Sequence, residues 1–167
     1  SGACTTNEWV VREFIHDVEG NPHIYKGMPL RTEYRVFIDC EAGKVIGVNP
    51  YWDPDVMKKR FGHEPDANSP HQVHDYIIYK AHEEKLMARY HANKDIVVNS
   101  IEAMIPDMAA AGLTGQWSVD VMQNGDDFYI IDMALAATSA LSECVPNGIL
   151  KAEKEDWLPR LTEKKGD

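Results

Sequence analysis

Runs of apolar residues interrupted by charged residues at alternate positions recur along this chain. Strand-type composition, rich in Val, Ile, Tyr, Phe and Trp, defines five segments: 8–15, 30–40, 44–51, 116–122 and 127–133. A tight turn over 41–44 predicts an antiparallel hairpin from the second and third segments, and the Asn124-Gly125 turn signal predicts another from the last two. The pattern therefore favours antiparallel pairing.

Helical periodicity appears between the two hairpins. Asp53, followed by a proline, is typical of the N-cap of a short helix. A long helix is predicted over 70–91, and Asn93 is the expected cap of a second one. Pro106 should kink or restart this second helix, and Gly112 should end it.

The order of strands, then helices, then strands predicts an α+β fold, with an antiparallel sheet and two central helices packed on one of its faces. Residues 8–148 form the main predicted unit, and residues 149–167 the second, in which a charged helix spans roughly 150–164. A length of 167 residues suffices for one domain with a hydrophobic core.

Charge and cysteine content narrow the functional classes. The net charge of −10 argues against a nucleic-acid partner, since such proteins usually carry a basic stripe. Three cysteines, at positions 4, 40 and 144, lack metal-ligand spacing, which favours reduced thiols and a cytoplasmic protein. No apolar run approaches the ~20 residues of a membrane span, so a membrane is not an expected partner.

Charged side chains inside the second strand are the first candidate chemistry. Strand alternation places Glu33 and Arg35 on one face, while Tyr34, Val36 and Ile38 form the natural core face. Arg35 could contact a phosphate, and Glu33 a ribose hydroxyl or a cation. A cross-strand salt bridge on a solvated face explains the same pattern equally well.

Two aspartates in the last hairpin are a stronger signal. A three-residue turn over 125–127 would place Asp120 and Asp132 directly opposite each other. Two carboxylates at that separation repel unless a cation or a proton lies between them, and hard oxygen ligands suit Mg²⁺. The alternative is that one of them faces water.

Histidines at positions 71, 74, 82 and 91 could suggest zinc. No cysteine or carboxylate completes a tetrahedral ligand set in sequence, so solvated histidines on helix faces are favoured. Nucleotide-loop and nucleophile motifs of the P-loop, Rossmann and G-x-S-x-G types are missing from the sequence.

Three stretches together resemble the ATP-grasp superfamily, in its carboxylate–amine ligase branch. They are Trp9-Val-Val-Arg-Glu-Phe-Ile15, Thr32-Glu-Tyr-Arg-Val-Phe-Ile38, and the hairpin from Gly115 through Ala134. The resemblance covers residues 8 to about 142 and implies the C-terminal part of a divergent grasp domain.

The resemblance implies a role for each matching position. The strand around Arg12, Glu13, Phe14 and Ile15 would meet the adenine of ATP. Glu33 would meet the ribose, Arg35 the phosphates, and Asp120 with Asp132 would hold Mg²⁺. The implied reaction joins a small-molecule or peptide carboxylate to an amine through an acyl phosphate.

One departure supports a second hypothesis. The family's last hairpin usually ends in Glu-x-Asn, but this chain has Asp132-Met133-Ala134, and Ala134 cannot bind a metal. A non-catalytic binding or interaction domain that retains the grasp half-fold is therefore the alternative. The sequence predicts neither the substrates nor the oligomeric state.

Overall fold

The structure is a computed structural model that describes residues 11, 13–25, 27–61 and 72–151. The chain is α+β, with antiparallel sheets and one long helix. The strands are β1 (His23–Ile24), β2 (Met28–Pro29), β3 (Glu33–Asp39), β4 (Lys44–Pro50), β5 (Gln116–Asn124) and β6 (Asp127–Leu135). The helices are α1 (Pro54–Phe61) and α2 (Gln72–Ala110), and two 3₁₀ turns follow at Ala136–Thr138 and Ser142–Cys144.

Four strands form the main sheet in the order β4-β3-β5-β6, and every neighbouring pair is antiparallel. The two hairpins predicted from the sequence are thus confirmed, and β3 joins them by pairing with β5. Strands β1 and β2 form a separate two-stranded antiparallel sheet. Because β3 pairs with β5, the charged residues Arg35 and Asp120 of these strands lie next to each other.

One face of the sheet packs against α2, as alternation predicts. Tyr34, Val36 and Ile38 of β3 are fully buried in a cluster with residues of β5 and α2. The members that α2 supplies are spaced at helical intervals: Tyr90, Val97, Ile101 and Ile105. The N-terminal half of the same helix contributes Tyr79 and Leu86 to a second cluster.

The prediction of two central helices was wrong, because α2 is a single helix of 39 residues. Asn93 does not cap a new helix. Its side-chain amide donates to the carbonyl of Arg89, one turn earlier, at 3.1 Å, and to Gln123 Oε1 at 3.3 Å. Pro106 lies inside the helix only four residues before its end, so the missing N–H frees one carbonyl without ending the helix.

The predicted N-cap of the short helix at Asp53 and the predicted helix end at Gly112 are both confirmed. Asp53 Oδ1 accepts hydrogen bonds from the amides of Asp55 and Val56, each at 3.0 Å, which caps α1. At the end of α2, Gly112 has φ +97°, and the amide of Leu113 bonds to the carbonyl of Met108 at 3.0 Å. This is a Schellman ending, in which glycine adopts the left-handed conformation at little cost.

The predicted strand over 8–15 was also wrong where it can be described. Residues 11 and 13–15 are not in a strand, while residues 8–10 and Arg12 lie outside the described part. The Ile15 carbonyl is bonded by the side chain of Arg31 instead of a neighbouring strand. The predicted C-terminal helix falls almost wholly on residues outside the described part, and Leu150 and Lys151 are not helical. Neither helix, as far as it is described, is long and apolar enough to span a bilayer.

Candidate functional site

A row of charged side chains crosses the sheet on the face opposite α2. Arg35 of β3 pairs with Asp120 of β5, and Asp120 pairs with Asp132 of β6. Glu33 lies two residues from Arg35 on the same face of β3. The predictions that the two aspartates are direct neighbours and that Glu33 and Arg35 share their face are both confirmed.

The pairing of Asp120 with Asp132 does not arise from the predicted three-residue turn. Asn124 pairs with Asp127, so the turn has two residues, Gly125 and Asp126, with φ +66° at Gly125. Continued without interruption, that register would place Ile131 opposite Asp120. A β-bulge between Asp120 and Val121 shifts the pairing by one residue and brings Asp132 opposite Asp120.

Arg35 and Asp120 form a two-pronged ion pair. The Arg35 Nε and Nη2 atoms donate to the two oxygens of Asp120 at 2.8 and 2.7 Å. The hydrogen bond to Asp120 raises the pKa of Arg35. Tyr51 adds a cation–π contact, with the guanidinium carbon 4.8 Å from its ring centroid. The salt-bridge interpretation of this strand is therefore correct, although the pair is largely shielded from water, with 15% and 7% of the two side chains exposed.

Asp132 is the more accessible of the two aspartates. Its Oδ1 atom accepts a hydrogen bond from the amide of Met133 at 2.9 Å, and the residue is exposed. Ala134 follows on the same face of β6, opposite Ser118, and offers no ligand atom. The Ser118 hydroxyl is 2.6 Å from that of Ser139. Asp120 and Asp132 thus lie side by side as two carboxylates on this face of the sheet.

Glu33 is a buried carboxyl, with 8% of its surface exposed. Burial, followed by the charge of Asp120, raises its pKa to about 8, while Arg31, Trp52 and Arg35 act in the opposite direction. The Trp52 indole N–H lies close enough to lower this pKa, yet it has no hydrogen bond of normal geometry within the described residues. At neutral pH Glu33 is mostly protonated and can donate a hydrogen bond.

A cleft of about 590 Å³ opens over this face. Residues 13–15 line it, together with Glu33, Asp120 and Asp132. Arg35 does not line the cleft itself but is held beside it through Asp120 and Tyr51. The structure thus brings together the described residues that the sequence singled out, and Arg12 lies outside the described part.

Residues 13–15 line the cleft, and together with residues 16–18, which follow them, they are here called the wall segment. Side chains hold this segment in place. Arg31 donates to the Ile15 carbonyl at 2.9 Å and to Asp17 at 3.2 Å. Asn124 donates to the His16 carbonyl at 2.8 Å and accepts from the Val18 amide at 3.1 Å. Burial opposes but does not outweigh the hydrogen bonds from Asn21 and Arg31, and the pKa of Asp17 is lowered.

Sequence reasoning missed both residues that hold the wall segment. Arg31 continues the alternation of Glu33 and Arg35, so the pattern contained a signal for it. Asn124 was interpreted only as part of a turn, and no local pattern indicates a contact across 106 or 108 residues of chain.

The donor chemistry at Asp120 and Asp132 fits Mg²⁺ only in a limited way. A carboxylate offers about four acceptor positions, so Asp120 keeps some capacity while it binds Arg35. Within the described residues, no group of three or more His, Cys, Asp or Glu side chains could hold a metal ion. Two carboxylates suit an ion that also binds phosphate oxygens and water. The zinc alternative gains no support from His74, His82 or His91, and His71 is not described.

Comparisons of the chain with protein-family models, with curated proteins and with solved structures gave no match. The function of the cleft therefore has to be inferred from its own geometry and chemistry.

Proposed function

We propose that the cleft binds ATP with Mg²⁺, as part of an ATP-grasp-type ligase that activates a carboxylate as an acyl phosphate. The observation that carries the proposal is the composition of the cleft. Residues 13–15 of the wall segment, together with Glu33, Asp120 and Asp132, line a volume of about 590 Å³. This volume is within the range of roughly 300–1,000 Å³ that small-molecule sites occupy.

The wall segment suits a planar base. Its Ile15 carbonyl is already bonded to Arg31, but residues 13–15 form no strand and so are not paired within the sheet. Phe14 lines the cleft with 74% of its surface exposed, so a bound ring would cover apolar surface there. Glu33, which also lines the cleft, would meet the ribose as a hydrogen-bond donor or acceptor.

Neutralising the negative charge of the ATP phosphates is the most difficult requirement for this cleft. Among the described residues, the two arginines at or beside the cleft are paired, Arg31 with Asp17 and Arg35 with Asp120. Among the described residues that line the cleft there is no lysine. Mg²⁺ held by Asp120 and Asp132 would supply charge to polarise the phosphate oxygens. We therefore expect this chain to bind Mg·ATP weakly, with a Kd of roughly 0.1–1 mM, and not to turn it over alone.

In the proposed reaction, a carboxylate oxygen of the substrate attacks the γ-phosphorus of ATP and the bond to the β–γ bridging oxygen breaks. The amine substrate then attacks the acyl carbon, and phosphate leaves. The residues of this chain contribute positioning and electrostatic stabilisation. This chemistry, together with the free Cys40 and Cys144, is consistent with a cytoplasmic protein.

A titration with two matched variants tests the proposal. Asp132→Asn removes a cleft carboxylate, whereas Asp127→Asn makes the same change on the same strand, next to the turn. We expect Mg·ATP binding, measured by calorimetry, to weaken at least about tenfold in Asp132→Asn and to stay unchanged in Asp127→Asn. Equal affinities in both variants would contradict the placement of the metal site.

The second candidate is a binding domain that retains the cleft without catalysis. Ala134 favours it, because this position beside Asp132 offers no ligand for a second Mg²⁺. The two candidates differ in how tightly this chain alone binds Mg·ATP. A Kd of roughly 0.1–1 mM supports the ligase, whereas much tighter nucleotide binding without phosphate release supports the binding domain.

A further inference from the structure

Arg35 is largely engaged in the arrangement that the structure describes. Its Nε and Nη2 atoms each donate to Asp120, and Nη1 donates to the Ala140 carbonyl at 3.3 Å, so three of its five N–H groups are in use. The same pairing takes one acceptor position on each Asp120 oxygen, which weakens Asp120 as a ligand for a cation. The proposed phosphate ligand and the proposed metal ligand thus neutralise each other.

Asp120 also has a second, competing neighbour. Asp132 lies directly opposite it in the β5–β6 register, so two carboxylates share the positive charge of Arg35. A divalent cation between these carboxylates would meet both negative charges, which one guanidinium meets only in part. The site is built so that one cationic group can replace another.

We infer that Arg35 is an exchangeable counter-ion. It neutralises Asp120 while the cleft holds no divalent cation, and it turns to an anionic phosphate when a cation binds at Asp120 and Asp132. The inference rests on the proposed function for the cation site at Asp120 and Asp132 and for the identity of the phosphate-bearing ligand.

The remaining contacts of Arg35 allow such a change. The Ala140 carbonyl bond is long, and the Tyr51 ring is a face along which a guanidinium can shift while remaining in contact. Tyr51 also lines the cleft, so the displaced guanidinium stays beside it. A bound cation repels a displaced Arg35 beside it, and an anionic phosphate between the two offsets this repulsion. Cation and phosphate should therefore strengthen each other's binding by the same factor.

The exchange predicts effects of opposite sign from one substitution. Arg35→Gln removes the competitor at Asp120, so Mn²⁺ alone should bind about tenfold more tightly than to the original protein. The same variant lacks the phosphate contact, so Mg·ATP should bind more weakly. Loss of a positive charge favours any nearby cation, so the opposite effect on Mg·ATP binding is what distinguishes an exchanging arginine from a merely structural salt bridge.

The experiment measures Mn²⁺ binding by electron paramagnetic resonance on the 167-residue chain. Arg89→Gln is the control, because it removes the arginine of another carboxylate pair, with Glu19, and changes the net charge equally. Tighter Mn²⁺ binding in Arg35→Gln but not in Arg89→Gln, abolished by adding Asp120→Asn, together with weaker Mg·ATP binding in Arg35→Gln, supports the exchange. Equal or weaker Mn²⁺ binding in Arg35→Gln, or Mg·ATP binding that is not weakened, overturns it.

A second measurement needs no substitution in the observed sample and holds even where Arg35→Gln fails to fold. The Arg35 Nε–H resonance is followed by NMR and assigned by its loss in Arg35→Lys. Saturating Mg²⁺ should shift it, and a resonance that stays in place overturns the exchange. Failure of the original protein to bind Mg·ATP in calorimetry would instead remove the proposed function, while the response of the Nε–H resonance to Mg²⁺ still decides the exchange.

Discussion

The two faces of the four-stranded sheet are held together by different forces. The face against α2 is apolar, and fully buried residues such as Val36 and Ile105 pack there without directional bonds. On the opposite face, Arg35 and Asp120 are held by directed contacts, chiefly their own ion pair, and burial raises the pKa of Glu33 to about 8. The packing of the first face can be predicted from the polarity of its residues alone. The contacts of the second face can be described only when the partner of each charged side chain is known. The charges on this face are neutralised by one another, so a charged ligand that binds there can change which side chains pair.

The largest expected effect comes from placing a charge on the apolar face. Val36→Asp buries a carboxylate without a partner and should lower the free energy of unfolding by more than about 4 kcal/mol, enough to unfold the chain. Val56→Asp is the matched control, because Val56 is 39% exposed in the first turn of α1, where negative charge is favourable. Urea unfolding followed by circular dichroism checks both variants. A folded Val36→Asp would contradict the assignment of this face.

On the polar face, Glu33→Gln should change how stability depends on pH. The pKa of Glu33 is raised by burial from 4.5 to about 8, so the folded state holds this proton more tightly than the unfolded state. The free energy of unfolding of the original protein should therefore fall as pH rises from about 4.5 to about 8, by up to about 1.4 kcal/mol per unit of pKa shift.

Glu33→Gln keeps the shape and removes this titration, so it should gain stability over the original protein at pH 9 and little at pH 4. Denaturant unfolding at several pH values measures the difference. Glu84→Gln, an exposed position on α2, serves as the control. A constant difference between Glu33→Gln and the original protein across pH would show that Glu33 does not hold its proton.

A smaller loss of stability is expected from a change at Asn124, whose side chain binds the wall segment to the sheet. Asn124→Ala removes two hydrogen bonds to the backbone of the wall segment and should cost about 1–2 kcal/mol. Asn93→Ala also removes two side-chain hydrogen bonds but touches no residue of that segment. Amide exchange at Val18, measured by NMR, should accelerate in Asn124→Ala and remain slow in Asn93→Ala. Equal exchange in both would remove Asn124 as the support of the wall segment.

The smallest effect on stability belongs to Asp132, although it is central to the proposed chemistry. Because Asp132 is exposed, Asp132→Asn should change the free energy of unfolding by less than about 0.5 kcal/mol. A melting curve beside the calorimetric titration separates this from its effect on Mg·ATP binding. A large loss of stability would mean that Asp132 supports the fold.

Much of the sheet could be predicted from the sequence because alternation and turn residues act locally. The core side of β3, the cap at Asp53 and the helix end at Gly112 all follow from neighbouring residues. Asp120 and Asp132 were placed opposite each other for an incorrect reason, since the extra residue is in a bulge and not in the turn. Two local features can produce the same register, and the sequence does not distinguish them.

The features that were missed depend on contacts between distant segments. Asn93 resembles a helix cap, but its contacts to Arg89 and Gln123 keep α2 continuous across the sheet. Of the strand-like run over 8–15, the described residues 11 and 13–15 are not in a strand, and the side chain of Arg31 bonds the Ile15 carbonyl. Competition of this kind between backbone and side-chain partners is decided by tertiary structure, which local patterns do not contain.

The central claim is that the polar face, and not the apolar one, forms a nucleotide site with the wall segment. The most direct measurement is an NMR titration of the chain with Mg·ATP that follows backbone amides. The account predicts shifts at Ile15, Glu33 and Asp132 around the cleft, and none at Val97 or Ile101 in the helix core. Shifts confined to α2, or no shifts at millimolar Mg·ATP, would contradict it.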